Sequence, residues 1–460
     1  MARVFVLWDE SHLWGVLVLR ALRALGLPHV ILRAHDIAEG ALAGKSTASA
    51  PFAPFGGFMG GGADSSESDT PAELDTPALL IVPGGWARGR AERLGARGMQ
   101  AIRDFVAAGG SYLGFCGGAG LALTSPKGPR AGDSLGLCPW GRMGFAGRLQ
   151  HFLSGHVRLS LDQAQPLALP GAPEILAPVW WPAQFAPPPK GQHDDVRVLA
   201  RYAGLGQDFW VADLNLALLP EETLSDWENL YGLQIRPDFL QGRPAVISGT
   251  YGQGRYVLSY PHLETPDSPA ANAWLAHLLR ELGSVDCPNA TIPPWHVGTP
   301  SVGAAQHWED PALLAAKAAV ERAIAVGESH LLLFWRSPWL LGWRRGLPGP
   351  GINSVYALIC EALSAAPPAA GSPALAYWAG HGAEFARLAE LFCSGLSGLL
   401  LAERLDMTVR TTEADQAFTF SLRETRRALF GTAPAMGGLC GELLGMLEEL
   451  CGGLWGEGRK

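Results

Sequence analysis

Tyr112-Leu113-Gly114-Phe115-Cys116-Gly117-Gly118-Ala119-Gly120 decides how this chain folds. Ser111 to Phe115 has the length and apolar character of a buried strand, and it breaks at once into small residues. A strand that turns abruptly into a helix exposes the side chain at the turn, and glycines two places to either side let strand and helix approach closely. Gly114 and Gly118 occupy those places, so Cys116 is presented as a nucleophile on an elbow. The start of the following helix is expected to favour its thiolate.

Two further strand ends suit the same chemistry. Gly254 to Glu264 reads as a strand that delivers His262 and Glu264 two residues apart, a base and the group that orients it. Ile81-Val82-Pro83-Gly84-Gly85-Trp86 is a strand end opening into glycines, and the N–H groups of Gly85 and Gly117 are the expected oxyanion donors. Gly252-Gln253-Gly254-Arg255 reads as a hairpin turn into the core strand rather than as an adenylate-binding loop.

Working outward, Val4 to Trp8 is a strand, followed by a helical stripe of Leu13, Val16, Leu17, Leu19, Leu22 and Leu25 that stops at Gly26. Pro28 to Arg33 and Ala78 to Val82 are two more apolar strands, as a covered parallel sheet requires. Met99, Ile102, Phe105 and Val106 mark a helix ending at Gly109-Gly110. This alternation predicts an α/β fold with a doubly wound, mostly parallel sheet of the flavodoxin-like type. His156 to Leu258 turns to strands separated by Pro, Gly and Asp, which predicts an antiparallel, β-rich extension, and Ala270 to Leu282 is a closing helix. Gly40 to Thr76, rich in Gly, Ser, Ala and Pro, is expected to be a mobile loop.

The expected organisation is therefore an α/β domain over residues 1–285, a Pro-rich linker over 286–303, and an α-helical domain over 304–460. In the last part, Leu331 to Trp335 with Trp339, Leu340 and Trp343 is expected to be the core of a helical bundle. His381 and Glu384 share a helix face, but one such pair does not make a metal site, and no metal or cofactor is expected.

The elbow, the Pro-Gly-Gly loop and the His-x-Glu strand end, in this order, resemble the class I glutamine amidotransferase fold. More narrowly, Gly114 to Ala119 and Ser259-Tyr260-Pro261-His262-Leu263-Glu264, followed by Ser268-Pro269-Ala270-Ala271-Asn272, resemble the biotin-protein ligase N-terminal domain family. The resemblance covers about residues 1–285 and implies a Cys116, His262, Glu264 triad acting on an amide or related carbonyl. Working glutaminases carry Gln four residues after the nucleophile, whereas this chain has Gly120. A catalytically silent binding or scaffold protein with a helical partner-docking domain is therefore the competing expectation. Biotin ligase activity is not expected, and no phosphate-binding loop of the G-x-x-x-x-G-K-[ST] form occurs.

Trp8-Asp9-Glu10-Ser11-His12 follows the first strand, and ligands of open α/β sheets bind beyond the carboxyl ends of the strands. Asp9, Glu10, His12 and Trp86 are accordingly the candidate substrate contacts. The plainer alternative makes Asp9 or Ser11 a helix cap and the tryptophans packing residues. Arg88, Arg90, Arg93, Arg97 and Arg103 form a basic helix that could attract an anion but more simply faces solvent.

Composition narrows the classes. The 58 Gly and 35 Pro of 460 residues fall short of a low-complexity level, while 48% hydrophobic and 17% charged residues suffice for a large core. A net charge of −8 without a basic run excludes a nucleic-acid footprint. Seven scattered cysteines without a C-x-x-C pair argue against a disulfide framework or zinc site and suggest a reducing cytoplasm. Neither a signal-peptide core nor a spanning helix is expected, so the anticipated partners are a small-molecule substrate and a protein docking on the helical part, with no membrane.

Overall fold

The computed structural model describes residues 3–43, 78–124, 133–143, 153–188, 195–232, 235–289, 291–298, 308–344, 348–409, 415–432 and 437–456. Most of the segment from Gly40 to Thr76 thus lies outside the described residues. The chain begins with β1 (Arg3–Leu7), α1 (His12–Ala24), β2 (Val30–Leu32), α2 (Ala34–Ala38), β3 (Ala78–Val82), α3 (Ala87–Ala107), β4 (Ser111–Phe115) and α4 (Gly117–Ala122). It continues through β5 (Gly141–Arg142), β6 (Leu153–Leu161), β7 (Glu174–Trp180), β8 (Phe185–Ala186), β9 (Arg197–Leu205), β10 (Trp210–Val211), β11 (Leu214–Asn215) and α5 (Glu221–Tyr231). A hairpin of β12 (Pro244–Tyr251) and β13 (Gly254–Ser259) leads into α6 (Pro269–Gly283).

One large sheet runs in the order β11-β10-β6-β9-β12-β13-β4-β3-β1-β2, with β7 paired to β6. From β2 to β13 the neighbours are parallel, and from β13 outward they are antiparallel. The α/β fold and its β-rich extension are one continuous sheet. Leu79 to Val82 and Ser111 to Phe115 are buried on both faces, which explains their unbroken apolar sequence. Gly252, at φ 59°, makes the tight turn between β12 and β13, the hairpin expected there.

The remainder forms α7 (Pro311–Ser329), β14 (Leu333–Ser337), β15 (Leu340–Trp343), α8 (Pro348–Ser364), α9 (Pro373–Val409), α10 (Asp415–Phe430) and α11 (Gly438–Gly456). Leu331 to Trp343, expected inside a helical bundle, instead folds as the β14–β15 hairpin. Its Ser337-Pro338 pair is a turn signal, and Pro338 cannot continue a helix. Helix α9 is long and apolar enough to cross a membrane. Phe385, Phe392, Leu396 and Leu400 are buried, and the helix packs with α7, α10 and α11.

Helix α1 is buried almost all round because one side meets the sheet and the other meets α8. Leu17, Leu79 and Trp274 belong to the same core as Ile359, Phe392 and Leu447 of the helical part. Residues 291–298 also pack: Trp295 is buried, stacks on Trp339 and lies under the Arg20 guanidinium.

Candidate active site

Four parallel strands, β1, β3, β4 and β13, end on the same edge, and the segment following each carries candidate residues. After β4 the backbone turns through Cys116 at φ 46°, ψ −104°, a conformation costly for a side-chain-bearing residue and typical of a nucleophile elbow. The glycines make this possible. A Cβ on Gly114 would lie 2.8 Å from the Gly118 carbonyl, and one on Gly118 would collide with the Val82 carbonyl. Cys116 N–H donates to Ser259 O at 2.7 Å, tying the elbow to the end of β13.

Beyond β13, the His262 N–H donates to Pro178 O, and Asn272 on α6 donates to Leu263 O and Thr265 O, both at 2.8 Å. This clamps the turn so that His262 Nδ1 meets Glu264 Oε1 at 2.7 Å, with both side chains 0% exposed. Burial pushes the His262 pKa down, but the Glu264 charge and the hydrogen-bonding presence of Cys116 and Glu264 outweigh it and raise it to about 10. His262 Nε2 has no partner at regular hydrogen-bond geometry among the described residues, and the Cys116 thiol acts on the ring electrostatically. An imidazolium with one carboxylate behind it and a thiol before it can hold a thiolate and return a proton.

Trp14 covers the imidazole, with ring centres 4.8 Å apart, and stacks on Trp180, whose carbonyl oxygen lies 3.9 Å from the Cys116 sulfur. Trp339 of the β14–β15 hairpin meets Trp180 edge-on. The wall around His262 is thus built partly by the C-terminal region. A Cβ on Gly84 would lie 2.6 Å from His262 Cε1, so only glycine fits there. The backbones of Gly85 and Gly117 touch, since a Cβ on Gly117 would strike the Gly85 carbonyl. Neither N–H has an acceptor among the described residues, which leaves two donors free beside Cys116.

The other candidates are engaged elsewhere. Asp9 accepts from Arg33 and from the Ala34 N–H at 2.6 Å, and Glu10 pairs with Arg93 at 2.7 Å. His12 pairs with buried Glu448 of α11. Trp86 stands at the start of α3, and its N–H donates to Glu10 O. Within the basic helix, Arg88 and Arg93 are largely exposed, but Arg90 is fully buried and donates to backbone carbonyls around the site. Its periodicity was the available signal: Arg90, Leu94, Gly98 and Ile102 fall every four residues along the buried face. Glu448 had no comparable signal. Among the described residues no three His, Cys, Asp or Glu gather as a metal would require.

Residues 70–125, which contain β3, α3 and the elbow, match the sequence profile described as biotin-protein ligase, N terminal. No curated protein sequence matches significantly. Among solved structures, a glutamine amidotransferase is similar at 17% identity over 61% of this chain and 99% of its own, with a TM-score of 0.35. PurLQS from Thermotoga maritima is similar at 15% identity over 61% and 100%, with a TM-score of 0.33. A putative ThuA-like protein from Bacteroides uniformis is similar at 12% identity over 63% and 95%, with a TM-score of 0.36.

Proposed function

We propose that the protein is a cysteine-dependent amidase or acyl-transfer protein acting through Cys116, His262 and Glu264. The observation carrying this reading is the fully buried His262–Glu264 pair, 2.7 Å apart, behind a thiol on a strained elbow. The Cys116 thiolate, paired with the His262 imidazolium that Glu264 holds, attacks a carbonyl carbon. The oxygen that gains charge is held by the Gly85 and Gly117 N–H groups. His262 gives a proton to the leaving nitrogen, the C–N bond breaks, and a thioester remains for water or another nucleophile to resolve. All seven cysteines are free, which supports a reducing, cytoplasmic setting.

Gly120 supports a second reading, a silent site kept for ligand binding with a protein partner on the helical part. Labelling separates them. A thiol-reactive glutamine analogue and iodoacetamide are expected to modify Cys116 faster than the six other cysteines near neutral pH, and His262→Ala is expected to abolish the preference. Equal labelling of all accessible cysteines, unchanged in His262→Ala, would sink the catalytic reading.

A further inference from the structure

The oxyanion loop is held from beneath by one buried guanidinium. Arg90 Nη2 donates to Gly84 O at 3.0 Å, Nη1 to Pro83 O at 3.2 Å, and Nε to Asp9 O at 3.0 Å. A trans peptide is planar, with its C=O and N–H pointing in opposite directions. Pinning the Gly84 carbonyl on Arg90 therefore aims the N–H of the same peptide, that of Gly85, away from Arg90. Donation from a cation to that carbonyl also polarises the N–H.

Arg90 is itself placed by the segment after β1. Its Nη2 also donates to Glu10 O and to Ser11 Oγ, and Glu10 O in addition accepts from Trp86 N–H, the peptide after Gly85. Gly85, at φ 125°, has no Cβ to obstruct that carbonyl. Residues 10–12 pay a conformational cost, since Glu10 and His12 have φ of 56° and 46°. What holds them comes from the far end of the chain. The fully buried Glu448 carboxylate accepts from the N–H groups of Glu10, Ser11 and His12 at 3.3, 3.1 and 3.2 Å, and the Glu448 carbonyl accepts from Trp8 Nε1 at 2.9 Å.

We propose that Arg90 and Glu448 are positioning residues for acyl transfer at Cys116, with helix α11 completing the oxyanion loop through the segment after β1. The proposal rests on the thiol reading above. It assigns the C-terminal helices a part in the chemistry without contact with substrate.

The test compares two reagents on the full chain. Acylation by p-nitrophenyl acetate, read as a p-nitrophenolate burst, passes through an oxyanion; alkylation by iodoacetamide displaces iodide and does not. In Arg90→Lys and in the isosteric Glu448→Gln, Cys116 acylation is expected to fall about 10-fold or more, against the 10²–10³ typical of losing an oxyanion donor outright. Alkylation is expected to stay within about 2-fold of the parent chain, and hydrogen exchange across Gly84–Trp86 to quicken. Unchanged acylation, or acylation and alkylation falling together, overturns the proposal. Should Arg90→Lys fail to fold, Glu448→Gln carries the same comparison. If the parent chain is neither acylated nor preferentially alkylated at Cys116, the thiol reading fails, while unchanged exchange at Gly84–Trp86 in Glu448→Gln separately refutes the anchoring.

Discussion

The Glu448 carboxylate and the His12 imidazole meet at 2.9 Å, both shielded from solvent, across 436 positions of sequence. Burial pushes the Glu448 pKa up, yet His12, Arg93 and the His12 N–H outweigh it and bring it down to about 2. Burial pushes His12 down, and Glu448 outweighs that to raise it above its ordinary 6.5.

The two shifts bound a pH window. A lowered carboxylate contributes stability above its ordinary value of 4.5 and loses it as pH falls towards 2. A raised histidine contributes below 6.5 and loses that as pH climbs through its folded value. Removing one partner of a buried pair costs about 3–5 kcal/mol, so Glu448→Ala should unfold at markedly lower temperature near pH 6. The gap from the parent chain should narrow as pH approaches 2. A gap independent of pH between 2 and 6 would show that the charge contributes nothing.

His262 makes the second pH statement. With its value raised to about 10, its pairing with Glu264 stabilises the fold fully below 6.5 and is lost as pH rises towards 10. Glu264→Gln removes the opposite charge and should lower the imidazole titration by about 1–3 pH units. NMR of ¹⁵N-labelled histidine reads this directly. An imidazole that titrates near 6.5 in the parent chain would contradict it.

Three glycines should respond very differently to alanine. Gly118→Ala drives a Cβ into the Val82 carbonyl, and Gly85→Ala meets the Glu10 carbonyl at φ 125°. Each should cost about 3 kcal/mol or more in denaturant unfolding. At Gly120 the nearest atom is Ala87 Cβ at 3.9 Å, so alanine should be neutral or stabilise by about 0.5–1 kcal/mol. A costly Gly120→Ala would mean the space beside α4 is filled.

Asn272 should matter more than its distance from the thiol suggests. It satisfies Leu263 O and Thr265 O from a buried position, and losing those bonds should cost about 1–3 kcal/mol. By loosening the turn that carries His262, Asn272→Ala should also slow Cys116 alkylation. Unaltered labelling alongside lowered stability would restrict Asn272 to a structural role.

The sequence made the elbow, the glycine loop and the His-x-Glu pair legible because each is a local pattern at a strand end. The sheet followed from apolar runs at β1, β3 and β4. Arg90 was one arginine among five, and only its spacing of four from Leu94, Gly98 and Ile102 marked it as the one that turns inward. Glu448 sits in an apolar helix beside Glu449, and nothing local distinguishes the buried carboxylate from its neighbour. The β14–β15 hairpin was obscured because Leu331 to Trp335 is uniformly apolar, a texture shared by buried strands and helices.

The clasp between Glu448 and the segment after β1 also bears on the order of synthesis. A ribosome completes the cysteine, the histidine and their whole sheet some two hundred residues before residue 448 is made. On the proposed role of Glu448, a growing chain carries an elbow thiol whose oxyanion loop is not yet held, and acyl transfer waits for the residue that holds it.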